Sequence, residues 1–365
     1  MAATIPRKIS FLQAATIVML ASGLVSHVIV NPILLDASGR DAWITILLSG
    51  AFFIPWCFLL ALAMRRMGQQ KLLPWLAEQT HPVLAWLLVL PALVCLYLIG
   101  AMTVTYTTTW TISNYLPATP PFVLSFVLVA ISALSAIWGI RVIALTSGIL
   151  LPFVIALGYF VSISNSSEKD YSLLKPVLEH GWDRVWDGLI YCWGGYIEFT
   201  FLFLMQHHIK TKVKPWQIGL LGLIMIYISL GPIVGAITEF GPHEAARQMT
   251  SPYEQWRLVK LGNYVEHVDF FSIYQWESGA VIRTALALFL IADLLPIKRP
   301  KIRLITIGTI AASYIAVSLL PINEYSYYLF LYHWYFPISF IVLLAASAAW
   351  MLISWIMKPA REVRI

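Results

Sequence analysis

The chain has 365 residues, of which 59% are hydrophobic and 12% charged, and its formal net charge is +6. Soluble domains are about half apolar and about a quarter charged, so a water-soluble fold could not bury this much apolar surface. The basic residues lie in short segments between apolar runs and form no single patch, which argues against a nucleic-acid-binding protein. We therefore predict that the lipid bilayer is the solvent of this chain.

Apolar runs of about 18 to 25 residues recur along the whole sequence, and each can cross about 30 Å of hydrocarbon as a helix. We predict an all-α integral membrane protein with about ten transmembrane helices. The predicted spans are 10–34, 43–63, 83–106, 121–139, 142–161, 187–206, 216–237, 272–295, 303–320 and 334–357. Together they form a single polytopic membrane domain over residues 1–365.

Small residues interrupt two of these spans at matching places. This predicts two inverted five-helix repeats, as in LeuT-like transporters, with the first at about 10–161 and the second at about 187–357. Span one carries Ser22 and Gly23 at mid-depth, and span six carries Gly194 and Gly195. Such glycines can simply allow close helix packing. Because they recur in the first span of each half, we instead expect helices one and six to be broken around a ligand, with bulk at either glycine harmful.

The basic residues of the connecting segments predict the orientation, since short cytoplasmic loops are enriched in Lys and Arg. Apart from Arg283, sixteen of the 24 Lys and Arg residues fall on one side of the predicted spans and seven on the other. Both termini are therefore expected in the cytoplasm. Two long segments, 162–186 and 238–271, are then external. We expect a short interfacial helix in the first, and in the second a helix capped by Ser251 and ended by Gly262.

Two charged residues lie at membrane depth, where a charge is costly unless it is paired or hydrated. Glu198 follows the span-six glycines, and Arg283 lies near the middle of span eight. They either pair with each other across the bundle, or one of them faces a ligand cavity, and both readings stay open. Asp293, His207 and His208 lie at the cytoplasmic ends of their spans, where interfacial hydration accounts for them without a metal.

Span three carries Tyr97, Gly100 and Thr103 on related helical faces, and we expect them to form a wall of the ligand site. The sequence contains no phosphate loop, zinc motif, catalytic triad or dinucleotide fingerprint. We therefore expect neither an enzyme nor a cofactor.

Four stretches of this sequence resemble a known family. They are "DAWITILLSG", "LLKPVLEHGW", "FLFLMQHHIKTKVKP" and "SPYEQWRLVKLGNYVEHVDFFSIYQW". They run in the same order over most of the chain. The chain resembles the integral-membrane B subunit of spore germinant receptors, the spore germination permease family within the amino acid-polyamine-organocation transporter superfamily.

The resemblance implies a nutrient germinant sensor in the inner membrane of the dormant spore. Such a subunit binds an amino acid or similar small nutrient and acts with a receptor A subunit and a lipoprotein C subunit. The family often has a basic residue after the span-eight tryptophan, here Arg283 after Trp276. One departure is that Pro32 is displaced relative to many members. Including the residues above, the candidate ligand-binding residues are Ala21, Ser22, Gly23, Tyr97, Gly100, Thr103, Gly194, Gly195, Tyr196, Glu198 and Arg283.

Three functions fit these features. The first is a ligand-sensing receptor subunit, the second a proton- or sodium-coupled amino-acid transporter, and the third a membrane scaffold with a vestigial pocket. The same fold supports the first two equally well. Only a comparison of binding with uptake separates them.

Overall fold

The computed structural model describes residues 8–260 and 267–357, and these residues are almost entirely helical. The helices are α1 (Phe11–Leu24), α2 (Val30–Ser38), α3 (Ala42–Arg66), α4 (Leu72–Gln79), α5 (Pro82–Asn114), α6 (Pro121–Trp138), α7 (Ile140–Ser164), α8 (Asp183–Tyr196), α9 (Phe201–Met205), α10 (Pro215–Phe240), α11 (Pro242–Ala245), α12 (Ser251–Leu258), α13 (Phe271–Leu294), α14 (Pro300–Ser318), α15 (Glu324–Phe330) and α16 (Phe336–Ile356).

Eight helical stretches in the described part of the chain are long and apolar enough to cross a membrane. The first, Phe11–Arg66, contains predicted spans one and two, so the eight stretches include nine of the ten predicted spans. The predicted eighth span is α13, whose 24 residues include the charged Glu277, Arg283 and Asp293. The all-helical membrane fold is confirmed, while the count of ten spans stays a prediction.

Helix α13 lies at the centre of the bundle, where it packs against α1, α5, α6 and α7. Its residues from Ser278 onward are almost all buried, including Arg283. Helices α3 and α10, the predicted second spans of the two halves, also pack against each other. Contact between corresponding spans is compatible with a two-fold relation between halves, and the inverted repeat itself stays a prediction.

The two long segments that are predicted to be external differ from expectation in detail. Residues 162–186 contain the 3₁₀ turns Asn165–Glu168 and Tyr171–Leu174, and the expected interfacial helix is absent from this described segment because its tryptophan-rich end begins α8. In the second segment the expected helix is present as α12, but it is preceded by Thr250 without a side-chain cap. The predicted cap by Ser251 is therefore wrong. Gly262 lies outside the described residues.

Short backbone and side-chain hydrogen bonds connect segments at the end of the bundle that is predicted to be cytoplasmic. Ile9 forms an isolated parallel bridge with Ile209, with Ile9 N donating to the His208 carbonyl over 2.8 Å. The Gln69 side chain donates to the Gln206 carbonyl and accepts from Val213 N. The segment after span six is thus held against the chain start and the end of α3.

Single cysteines test the predicted orientation. Arg299 and Ser167 are both exposed, and the three native cysteines are buried, so background labelling should be low. We expect a membrane-impermeant maleimide to label Ser167→Cys in intact cells and Arg299→Cys only after permeabilisation, because basic loops stay cytoplasmic. Labelling of Arg299→Cys from outside, with protection of Ser167→Cys, would reverse the orientation. Arg7, Lys358, Arg361 and Arg364 also enter the charge count but lie outside the described residues.

Candidate functional site

Span one changes its helical pitch directly after the predicted break at Ser22 and Gly23. A π-helical turn covers Val25–Ile29, closed by a bond from Val30 N to the Val25 carbonyl. At its start Val25 N donates to the Ser22 carbonyl, although a regular helix would have it donate to Ala21. The Ala21 carbonyl therefore becomes available to a side chain.

Span six changes its pitch just after Gly194 and Gly195, which themselves belong to α8. A 3₁₀ turn, Ile197–Thr200, separates α8 from α9 and carries Glu198. All residues of this turn are buried. Glu198 is thereby placed inside the bundle, between two helical segments of the same span.

The expected unwinding of spans one and six is wrong for the described structure. Leu24, Val30, Tyr196 and Phe201, which flank the two turns, all keep right-handed helical φ and ψ angles. The physical reason is that π and 3₁₀ turns satisfy backbone groups internally, as the bilayer interior requires, while still changing the direction of side chains. The interruptions also lie a few residues after the predicted glycines.

Arg283 and Glu198 form a bidentate ion pair inside the bundle. Arg283 Nη1 and Nη2 lie 2.6 Å from the two Glu198 carboxylate oxygens. Arg283 also donates from Nε to Thr103 Oγ1 over 3.1 Å and from Nη1 to the Ala21 carbonyl over 2.9 Å. Both charged side chains are about 95% buried. The structure thus shows the pair that the first reading expected, and whether either residue faces a ligand stays a prediction.

The pair joins four predicted spans at one point. Ala21 lies in span one, Thr103 in span three, Glu198 in span six and Arg283 in span eight. A planar guanidinium can serve several acceptors in fixed directions, which a lysine ammonium cannot do in the same way. The arrangement neutralises a charge that would otherwise be costly at membrane depth.

A small cavity borders Arg283. Its volume is about 10 Å³, which is about what one water molecule needs. The lining includes Val25 and Ile29 from the span-one π turn, and Leu331 and Tyr335 from a second π turn, Leu331–Tyr335. π turns inside α-helices occur frequently at functional sites. Two of them thus face one cavity.

The second π turn was not predicted, although the sequence carries a partial signal. Each π turn is followed closely by a proline, Pro32 in span one and Pro337 in span ten. Proline lacks an N–H and crowds the carbonyl four residues earlier, which favours a local change of pitch. The signal is incomplete, because Pro91 and Pro152 lie inside α5 and α7 without a π turn.

The remaining candidate residues surround this cavity unevenly. Thr103 lines it, but the Tyr97 hydroxyl bonds to Ser313 on α14, 3.1 Å away, and Gly100 packs closely on Tyr314 of the same helix. Tyr97 and Gly100 therefore pack against α14 and do not form the expected wall. Tyr196 stacks on Phe53 of α3, with ring centroids 4.6 Å apart.

A second charged cluster lies at the C-terminal end of α13. Asp293 Oδ2 lies 3.0 Å from His207 Nε2 and 3.5 Å from both His208 Nε2 and Lys71 Nζ. Arg303 lies 3.8 Å from the other carboxylate oxygen. Two histidines and an aspartate at these distances could hold a metal. Two permanent cations beside the same carboxylate oppose a divalent ion, so the cluster acts as a tie between span six and span eight.

Removing one member of the buried ion pair should be costly, because the other charge is left unpaired. We expect Glu198→Gln and Arg283→Gln each to lower the free energy of unfolding by about 3 to 5 kcal/mol. The double variant should lose clearly less than the sum. Denaturation of the purified protein in detergent measures this. The exposed pair Glu254–Arg257 is the control, since Glu254→Gln should cost less than about 1 kcal/mol. Strictly additive losses would show that the two buried charges do not interact.

The two predicted glycine positions should respond differently to added bulk. A Cβ on Gly194 would lie 2.6 Å from Phe336, whereas a Cβ on Gly23 would meet nothing within 4 Å. We expect Gly194→Ala to destabilise by about 1 to 3 kcal/mol through overpacking. Gly23→Ala should be neutral or stabilising by about 0.5 to 1 kcal/mol, because alanine favours a helix. Thermal unfolding in detergent compares them, and equal losses would contradict this packing.

Comparison with known proteins identifies the family of the chain. A family model described as "Spore germination protein" matches residues 8–325. The chain is 41% identical over 360 residues to spore germination protein XB of Bacillus anthracis, covering 97% of this chain and 99% of that protein. The resemblance found in the sequence is confirmed. This polytopic membrane protein therefore belongs to the spore germination protein family.

Proposed function

We propose that this protein is the nutrient-sensing membrane subunit of a spore germinant receptor, and that its ligand is an amino acid or similar small nutrient. The observation that carries the proposal is the buried Arg283–Glu198 pair beside a cavity lined by two π turns. Membership of the germination family supplies the biological setting. The ligand site is placed between spans one, three, six, eight and ten.

The charges of the pair suit a zwitterion. An α-amino acid that inserts between the two side chains would place its carboxylate on Arg283 and its ammonium on Glu198. Each protein charge then exchanges one partner for another, so that no unpaired charge is created at membrane depth. Thr103 and the Ala21 carbonyl would keep the guanidinium in place during this exchange.

The cavity is too small for such a ligand in the described conformation, so binding requires its walls to separate. One wall with an irregular backbone is the π turn Leu331–Tyr335, followed by Phe336, which contacts Gly194. A ligand that binds only the widened state shifts the population towards it. This population shift would be the sensing event.

Several finer features belong to the same proposal. They are the LeuT-like five-plus-five inverted repeat, cytoplasmic termini, the spore inner membrane as location, and a complex with an A subunit and a lipoprotein C subunit. The packing of α3 on α10 and the basic cytoplasmic loops support the first two. The family resemblance alone supports the location and the partners.

Filling the cavity tests the ligand site. Met102 of α5 lines the cavity, whereas Val94 of the same helix is 49% exposed on the outside of the bundle. We expect Met102→Phe to weaken binding at least about tenfold, because the larger ring occupies the space that the ligand needs. Val94→Phe, the matched control, should bind normally. Calorimetry with individual amino acids on the purified protein in lipid nanodiscs gives the affinities.

Two outcomes would overturn the proposal. Unchanged affinity in Met102→Phe would show that the ligand binds elsewhere. Uptake of a labelled amino acid into vesicles that contain only this chain would make it a transporter instead of a sensor.

A further inference from the structure

A second cavity adjoins the first and shares three lining residues with it, Ile29, Tyr327 and Leu331. Its other walls include Tyr106 and Met249, the latter from the segment between α11 and α12. On the predicted orientation this segment is external. We call this second cavity the outer vestibule.

Tyr327 separates the two cavities. Its ring stacks on Tyr106 with centroids 5.0 Å apart and planes 8° apart, and its hydroxyl donates to the Met102 carbonyl over 3.2 Å. It lies in α15, near the start of the helical stretch Glu324–Ile356 that contains predicted span ten, and one turn before the π turn that lines the inner cavity. Movement of that π turn would therefore also move the partition.

Glu324 is the charged residue that lines the outer vestibule. Its Oε1 is buried and has no hydrogen-bond partner among the described residues. Capping of α15 does not explain the carboxylate, because the Asn323 side chain already accepts from Ser326 N over 2.7 Å. A buried oxygen without a partner is costly, which suggests a group that binds it in another state.

A second carboxylate lies one hydrogen bond away from the lining of the vestibule. Tyr328, another lining residue, donates from its hydroxyl to Asp36 Oδ2 over 2.8 Å. Basic side chains do not occur in the described lining. Field lines in a cleft with low-dielectric walls concentrate ions of opposite charge, so this vestibule favours cations.

We propose that the outer vestibule is a second binding site, through which ligands reach the inner cavity, and that Glu324 selects those carrying an ammonium group. This inference rests on the proposed function, because it places the ammonium group of the nutrient at Glu324 before the ligand passes Tyr327. The ligand class is then a compound with an ammonium group, with simple carboxylic acids disfavoured.

The experiment requires no identified nutrient. Met249→Cys places a thiol in the vestibule wall, and the native cysteines are buried. The protein in lipid nanodiscs is treated with a trimethylammonium methanethiosulfonate and with its sulfonate counterpart, and the two modification rates are compared. We expect the cationic reagent to react faster, and Glu324→Gln to reduce the rate ratio by about tenfold through loss of the nearby charge. The matched control is Glu168→Gln, which removes an exposed carboxylate on the predicted external side and should leave the ratio of the two modification rates unchanged.

Each other outcome rejects the inference. A rate ratio that is unchanged in Glu324→Gln shows that this carboxylate does not select cations. An unreactive Met249→Cys shows that the vestibule is closed to solutes of this size. Equal reductions in Glu324→Gln and Glu168→Gln indicate general surface charge. Failure here leaves the inner-cavity proposal intact, since that proposal is tested by nutrient affinity in Met102→Phe.

Discussion

The positive charge of Arg283 in the middle of the bundle is the constraint on which the interior depends. A guanidinium at membrane depth requires a counter-ion and hydrogen-bond acceptors from protein, because lipid supplies neither. Here they come from Glu198, Thr103 and the Ala21 carbonyl. These acceptors belong to three different spans, so satisfying one side chain fixes the positions of three helices relative to α13.

Changes of helical pitch bring these acceptors within hydrogen-bonding distance of Arg283. The Ala21 carbonyl can accept from Arg283 because Val25 N turns to the Ser22 carbonyl at the start of the π turn. Glu198 reaches the same point because a 3₁₀ turn carries it. Neither turn leaves the backbone unwound. Side chains can therefore point in directions that a regular α-helix does not offer, without free backbone amides being exposed to lipid. The same π turn then supplies part of the cavity wall.

The helical membrane fold and the family could be predicted from the sequence, because apolar length and local motifs are local properties of the chain. Glu198 and Arg283 could be identified in the same way, since charges inside apolar runs are conspicuous. Their pairing could not be predicted, because it depends on how distant helices meet. The π turn at Leu331–Tyr335 was missed for a different reason. A proline is compatible with several helix distortions, and only packing selects one of them. Tyr97 and Gly100 share a helical face with Thr103, yet α14 covers them.

Stability alone does not explain why this bundle contains a buried ion pair. Apolar side chains of similar volume often stabilise a fold as well as a buried pair, because desolvation offsets most of the attraction between the charges. What apolar side chains cannot do is exchange partners. A zwitterion placed between Arg283 and Glu198 replaces each contact with an equivalent one, so the net cost of opening the pair is small for that ligand. A ligand with a single charge leaves one protein group unpaired and meets the full penalty. The pair would therefore set ligand class by charge balance, while the π-turn walls set ligand size.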